Sequence, residues 1–296
     1  MPWQELTFEV SPTEADALSE LLSDAGAASV TFKDSADTPI YEPAPDASEL
    51  WADTCVVGLF DADTNFERVL ASIQQVPRFA KLPPYRIAAL KEQQWERLWM
   101  DTFKPMRFGE RLWICPTETP PPEPDALNIM LDPGLAFGTG THPTTALCLT
   151  WIDQNDLSGH TVCDYGCGSG VLAIGAALCG ATSIEAVDID PQALIATQSN
   201  AAQNGVSALI STTLPSEVGE KCATVDCLLA NILANPLMAL AGDFATRVKP
   251  RGTLVLSGIL SEQAADVCLA YEKWFKFLPV TENEGWVRLV AIRNEL

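Results

Sequence analysis

Val162-Cys163-Asp164-Tyr165-Gly166-Cys167-Gly168-Ser169-Gly170 decides the fold of this 296-residue chain. The stretch reads as a buried strand that reaches an acidic residue and breaks into three alternating glycines. A helix-compatible apolar run, Val171 to Leu178, follows it. Glycines at a strand-to-helix turn reach backbone angles closed to other residues and let the main chain approach a ligand. Eighteen residues after Gly170, a short apolar strand, Glu185-Ala186-Val187, ends in Asp188. A carboxylate at the tip of a second strand can take both hydroxyls of a ribose. Residues 161–190 therefore read as the first half of a nucleoside-binding doubly wound sheet.

The spacing here is G-x-G-x-G, whereas the dinucleotide fingerprint is G-x-G-x-x-G. Asp164 stands two residues before the first glycine. A carboxylate beside the loop suits a cationic ligand and repels a pyrophosphate. The pattern resembles the glycine-rich signature of class I methyltransferases, whose donor, S-adenosyl-L-methionine, carries a sulfonium and an ammonium. NAD binding, and a glycine turn with no ligand, are the competing readings. Asp164 and Gly168 join Gly166 and Asp188 as candidate cofactor contacts.

Composition sets the class. The chain is long enough for two domains and has 47% hydrophobic residues, but no apolar run long enough for a membrane span. Its N-terminus, Met1-Pro2-Trp3-Gln4-Glu5, lacks the basic and apolar regions of a signal peptide. Nine cysteines are scattered with no C-x-x-C pair, mostly in apolar runs, which predicts buried thiols in a reducing cytoplasm. With two histidines, neither at ligand spacing from cysteines, no metal site is expected. The net charge of −21 argues against nucleic acid as the main partner and is compatible with a basic protein substrate. Residues 1–92 carry 16 acidic and 6 basic side chains, about twice the net acidity per residue of the remainder.

Three regions are predicted. Residues 1–91 have the order βαββαβ, which suggests a ferredoxin-like sandwich. They hold no catalytic constellation, so the expectation is a substrate-recognition domain. Residues 92–104 read as an amphipathic linker helix, with Trp95, Leu98, Trp99 and Phe103 at helical spacing as packing residues. Residues 105–296 read as one α/β domain. Strands are expected near 111–115 and 128–131, then at 161–165, 183–188, 208–213, 225–230 and 253–258. Helices are expected at 145–155, 170–179, 191–204, 235–248 and 261–275, with a last hairpin of strands near 276–281 and 286–292. That alternation implies a parallel sheet covered on both faces.

Two further segments carry candidate site residues. Residues 130–145, with glycines 134, 138 and 140 and threonines 139, 141, 144 and 145, read as a loop able to fold over a ligand. Phe137 and Thr144 are secondary contacts, and Thr145 opens the next helix, where its hydroxyl can cap the helix or bond a ligand carboxylate. His142 can accept a proton, but a structural role in the loop is the preferred reading. The second segment, Leu228-Leu229-Ala230-Asn231-Ile232-Leu233-Ala234-Asn235-Pro236, ends the fourth strand, where ligands of such sheets sit. Amino-group methyltransferases often read Asn-Pro-Pro-Tyr here. This chain keeps the asparagine, Asn231, as the candidate positioning residue, and has no aromatic after it to stack on a planar base.

The segments LDPGLAFGTGTHPTT, DYGCGSGVLAIGA, VDIDPQA and LLANILANPL together resemble the methyltransferases that modify large-subunit ribosomal protein eleven. The resemblance extends to the MPW start, DTPIYEP, WMDTFKPMRFGERLWICP and SGIL, and so covers nearly the whole chain. It implies a class I fold with an N-terminal recognition domain, a helical linker and a catalytic domain. It implies that Thr145, Gly166, Asp188 and Asn231 contact S-adenosyl-L-methionine. It also implies methylation of lysine side chains and of the N-terminal amine of that ribosomal protein, free or on the ribosome. The alternative is a class I enzyme for another protein, an RNA or a small molecule.

Overall fold

The computed structural model describes residues 3–34, 51, 54–90, 104–131, 140, 142–217 and 224–295. The chain divides into two compact units, Met1–Trp99 and Met100–Leu296. The expected linker helix lies almost wholly outside the described residues, and Phe137 lies outside them.

In the first unit, β1 (Trp3–Val10), α1 (Pro12–Asp24), β2 (Ser29–Asp34), β3 (Thr54–Asp61), α2 (Phe66–Gln74) and β4 (Tyr85–Leu90) follow in order. The antiparallel sheet runs β2-β3-β1-β4. Alternation puts Leu6, Phe8, Val56 and Phe60 on one face, where they bury against Leu18 and Leu22 of α1 and Val69 and Ile73 of α2. Ser11 and Glu14 bond each other to start α1, and Asn65 caps α2 by accepting from Arg68 N–H. This is the ferredoxin-like arrangement that the βαββαβ order predicts.

The second unit opens with β5 (Met106–Phe108), β6 (Leu112–Pro116) and β7 (Leu127–Leu131). They form a three-stranded sheet of their own instead of joining the main sheet, and β5 is absent from the sequence reading. The remainder is α3 (Pro143–Gln154), β8 (Thr161–Tyr165), α4 (Val171–Leu178), β9 (Ser183–Val187), α5 (Pro191–Gln203), β10 (Ile210–Thr213) and β11 (Val225–Asn231). Then come α6 (Ala234–Ala239), α7 (Ala241–Arg247), β12 (Val248–Leu260), α8 (Ala264–Tyr271), β13 (Phe275–Phe277), β14 (Thr281–Asn283) and β15 (Trp286–Arg293).

The main sheet runs β10-β9-β8-β11-β12-β15-β13, with β14 on β15. Strands β8 to β12 are parallel, and β15 runs antiparallel to them. Both faces are covered. Val162 and Leu229 pack with Leu149 of α3 and Ile174 of α4, while Cys163 and Leu228 pack with Leu237 of α6, Phe244 of α7 and Tyr271 of α8. The chain winds outward from β8 through β9 to β10, then crosses back to β11. The order thus reverses between β8 and β11, which opens a crevice at the carboxyl ends of these strands.

Two expected elements differ. The helix expected over 235–248 is two short helices broken at Leu240, whose ψ is 1°. Gly242 follows at once, and glycine propagates a helix poorly. The strand expected over 276–281 is also split, into β13 and β14, with Pro279 between them.

Candidate active site

Side-chain clamps fix the elements around the crevice. The turn after β5 closes on the end of α3: the Glu110 and Arg111 N–H groups donate to the Asp153 carboxylate at 2.6 and 3.1 Å. A Cβ on Gly109 would sit 2.2 Å from that carboxylate, so only glycine lets the turn approach. On α5, the Asn204 amide exchanges two 2.7 Å hydrogen bonds with the main chain of Met130.

The glycine loop adopts the backbone its sequence predicts. Gly166, Gly168 and Gly170 have φ of 80°, 54° and 79°, in the left-handed region. Gly166 and Cys167 N–H donate to Val187 O, which ties the loop to the end of β9. From α5, Thr197 Oγ1 donates to Gly168 O at 3.1 Å and Asn200 Nδ2 to Ser169 O at 2.8 Å. The loop carbonyls are thereby occupied from behind. Thr197 and Asn200 are buried, and the sequence reading contains neither, because only tertiary packing brings them to the loop.

Asp188 lies half-buried beyond β9. Its Oδ2 accepts from Gly168 N–H at 2.9 Å and its Oδ1 from Asp190 N–H at 3.0 Å. Each oxygen retains acceptor capacity, since an ionised carboxylate offers about four lone-pair sites. The adjacent Ile189 is an apolar side chain that is 82% exposed. Asp164, by contrast, is fully buried beneath the loop. Its Oδ2 accepts from Ala173 N–H at 3.0 Å, inside the first turn of α4, and its Oδ1 has no partner. Burial, helped by the Asp188 charge and opposed by the Ala173 bond, pushes its pKa up to about 7. The residue therefore supports the loop from below and does not line the crevice.

Across the switch point, Asn231 at the tip of β11 donates from Nδ2 to Thr145 Oγ1 at 3.3 Å. Thr145 and Thr144 are buried in the first turn of α3. Thr145 is not the cap. His142 is, accepting from Thr144 N–H through Nδ1, and its ring meets Trp286 edge-to-face with centroids 4.8 Å apart. Burial lowers the His142 pKa against an opposing pull from Glu284. These contacts give His142 the structural role.

Ile232, the next residue, is wedged between two glycines. A Cβ on Gly166 would lie 2.3 Å from Ile232 Cγ2. A Cβ on Gly258, in β12 with φ +85°, would lie 2.2 Å from Ile232 O and 2.7 Å from its carbonyl carbon. Leu233 follows, 43% exposed. The structure thus brings Thr145 to Asn231, Asp188 to Gly168, and Gly166 to Ile232. Gly258 escaped the sequence reading, although a glycine closing the strand expected at 253–258 was the available signal.

The profile of the family described as Ribosomal protein L11 methyltransferase (PrmA) matches residues 2–294. Ribosomal protein L11 methyltransferases of Histophilus somni (strain 129Pt) and Azotobacter vinelandii are 50% and 49% identical, over 294 and 295 residues. The alignments span 99% of this chain in both cases, and 99% and 100% of those proteins. Among solved structures, a ribosomal protein L11 methylase from Lactobacillus delbrueckii subsp. bulgaricus superposes with a TM-score of 0.60 at 32% identity. It covers 65% of this chain and 100% of its own.

Proposed function

The chain belongs to the ribosomal protein L11 methyltransferase family, and on that premise we infer how its crevice transfers methyl groups from S-adenosylmethionine to L11. The observation that carries the reading is the pairing of Asp188 with the glycine loop on one side of the switch point, and of Asn231 with Thr145 on the other. It supports Asp188 as acceptor for the two ribose hydroxyls. It supports Gly166 and Gly168 as the floor against the donor, where a side chain would intrude. It supports Thr145, at the N-terminus of α3, as the partner of the donor carboxylate. Exposed Ile189 offers an apolar seat for the adenine.

The acceptor is an uncharged amine, from lysine side chains or the N-terminus of L11. S-adenosylmethionine supplies the methyl: the nitrogen lone pair forms the C–N bond as the C–S bond breaks, and S-adenosylhomocysteine leaves. The Asn231 amide nitrogen is turned to Thr145, which directs its oxygen to accept from the incoming amine. A lysine at pH 7 costs roughly 4–5 kcal/mol to deprotonate, from its ordinary pKa near 10.4. Apolar surroundings at Ile232 and Leu233 reduce that cost by destabilising the cation. The rest is a positioning problem and needs no dedicated base.

Residues 1–91 serve as the recognition domain, whose acidity suits a lysine-rich ribosomal protein, and 105–296 as the catalytic domain. The reaction belongs to the cytoplasm; none of the eight described cysteines forms a disulfide, and no described helix is long and apolar enough to cross a membrane. Incubating the protein with methyl-labelled donor and an unmethylated ribosomal protein mixture tests the reading. Label confined to L11 is the expected result. Label in another protein, RNA or small molecule, or none, overturns it.

A further inference from the structure

A cleft of about 330 Å³ runs between α3 and the β14–β15 hairpin. Thr150 and Gln154 of α3 line one side, Thr281 and Asn283 of β14 the other, and Arg288 of β15 forms part of its wall. Arg288 is only 9% exposed. One terminal nitrogen donates to Leu147 O at 2.8 Å and the other to Thr281 Oγ1 at 2.9 Å. Its Nε is buried and has no partner. No carboxylate among the described residues pairs with it, and every bond it makes is to a neutral oxygen.

A buried guanidinium without a counter-ion is costly, and arginines in proteins are buried with an anion. Five N–H donors in a planar fork leave three here after two are used: the sealed Nε–H and one on each terminal nitrogen, and the last two suffice for a bidentate pair. The other walls are hydroxyls and amides, which donate to an anion without carrying charge. Glu282 is the one acid among the described residues that line the cleft, and its charge disfavours a dianion more than a monoanion.

We infer that this cleft binds a carboxylate, with Arg288 as its counter-charge. Its occupancy is read without reference to activity. Two sources share the chemistry: a free organic acid, and a glutamate or aspartate side chain of a polypeptide.

The test is the Arg288 Nε–H signal in a nitrogen-correlated NMR spectrum of the full chain, assigned by its loss in Arg288→Lys. Sodium acetate, blocked glutamate (N-acetyl, N-methylamide), inorganic phosphate and sodium chloride are titrated at constant ionic strength. Saturable shifts with acetate or blocked glutamate, at least 5-fold tighter than with chloride or phosphate, are expected. A response to acetate alone assigns a free acid; one tighter for blocked glutamate assigns a polypeptide side chain. Since Arg288 also anchors α3, Thr150→Val with Gln154→Ala is the second variant, expected to weaken the response at least 3-fold in a folded protein. No saturable shift with either carboxylate, an equal response to chloride or phosphate, or an unchanged response in that double variant overturns the inference.

Discussion

Gly258→Ala tests whether the position of Ile232 governs methyl transfer. The new methyl would stand 2.2 Å from Ile232 O, 2.7 Å from its carbonyl carbon and 3.1 Å from its nitrogen. All three are main-chain atoms, so no rotamer relieves the clash. Restoring contact moves the Asn231–Leu233 segment by about 1 Å, and misplacement on that scale costs on the order of 10²-fold in rate. An alanine held at φ +85° adds about 1–2 kcal/mol of strain, which lowers the melting temperature. Asp188, on the donor side, is not among the atoms that the new methyl meets. Steady-state methylation of L11 should therefore fall roughly 10²-fold, by more than calorimetric affinity for S-adenosylmethionine falls. Ile232→Ala is the control, because the Gly258 clash is with main-chain atoms that this change leaves in place. Adding Ile232→Ala to Gly258→Ala should therefore restore none of the rate. A folded Gly258→Ala protein that methylates L11 at the original rate, or its rescue by Ile232→Ala, would refute the reasoning.

Four other outcomes are expected. Asp188→Ala should weaken donor binding by about 1.5–3 kcal/mol, the range for a hydrogen bond to a charged group; unchanged calorimetric affinity removes its role. The Asp164 carboxyl titrates near 7 when folded, above its ordinary 3.8, so the folded chain holds a proton that the unfolded chain releases. Stability should accordingly fall as pH rises from about 4 to about 7, and Asp164→Asn should flatten that slope in thermal melts; an equal slope in the variant counts against the assignment. A fragment spanning Met100–Leu296, the second compact unit, should bind S-adenosylmethionine with near-normal affinity yet fail to methylate L11. Methylation by the full chain should weaken as salt screens charges beyond about 8 Å, and a fragment as fast as the full chain makes the first unit an appendage.

Local chemistry was legible in the sequence, and contacts between distant segments were not. The alternating glycines stand at the positive φ that their spacing demands, because the turn between β8 and α4 is decided within nine residues. The placement of Asp188 and Asn231 at strand ends was legible for a similar reason: each closes an apolar run. The Asn231–Thr145 bond joins residues 86 apart, and no local pattern encodes it. The same holds for Thr197 and Asn200, which read as ordinary polar residues of a helix until α5 packs behind the loop. Asp164 shows the opposite failure. Its spacing to Gly166 suggested a ligand contact, but burial turns its carboxyl to the Ala173 N–H beneath the loop. The strands near 111–115 and 128–131 were legible as strands, but strand pattern carries no information on which sheet a strand joins, and they form a separate one.

These constraints together assign the slack in the reaction. The loop carbonyls are bonded by Thr197 and Asn200, and Asp188 accepts from two main-chain N–H groups. On the acceptor side, Ile232 is held between two glycines whose substitution leaves no room. Neither half of the crevice has freedom to follow amines presented in different directions. Methylation of several amines on one ribosomal protein therefore requires the substrate to be turned before a fixed site. We propose that attraction to the acidic residues 1–92 supplies that without a single bound pose, because exposed charges attract over several ångströms without fixing geometry. Their net acidity, about twice that of the remainder per residue, is on this proposal the counterpart of the rigidity around Gly258: loose capture in one unit permits close placement in the other.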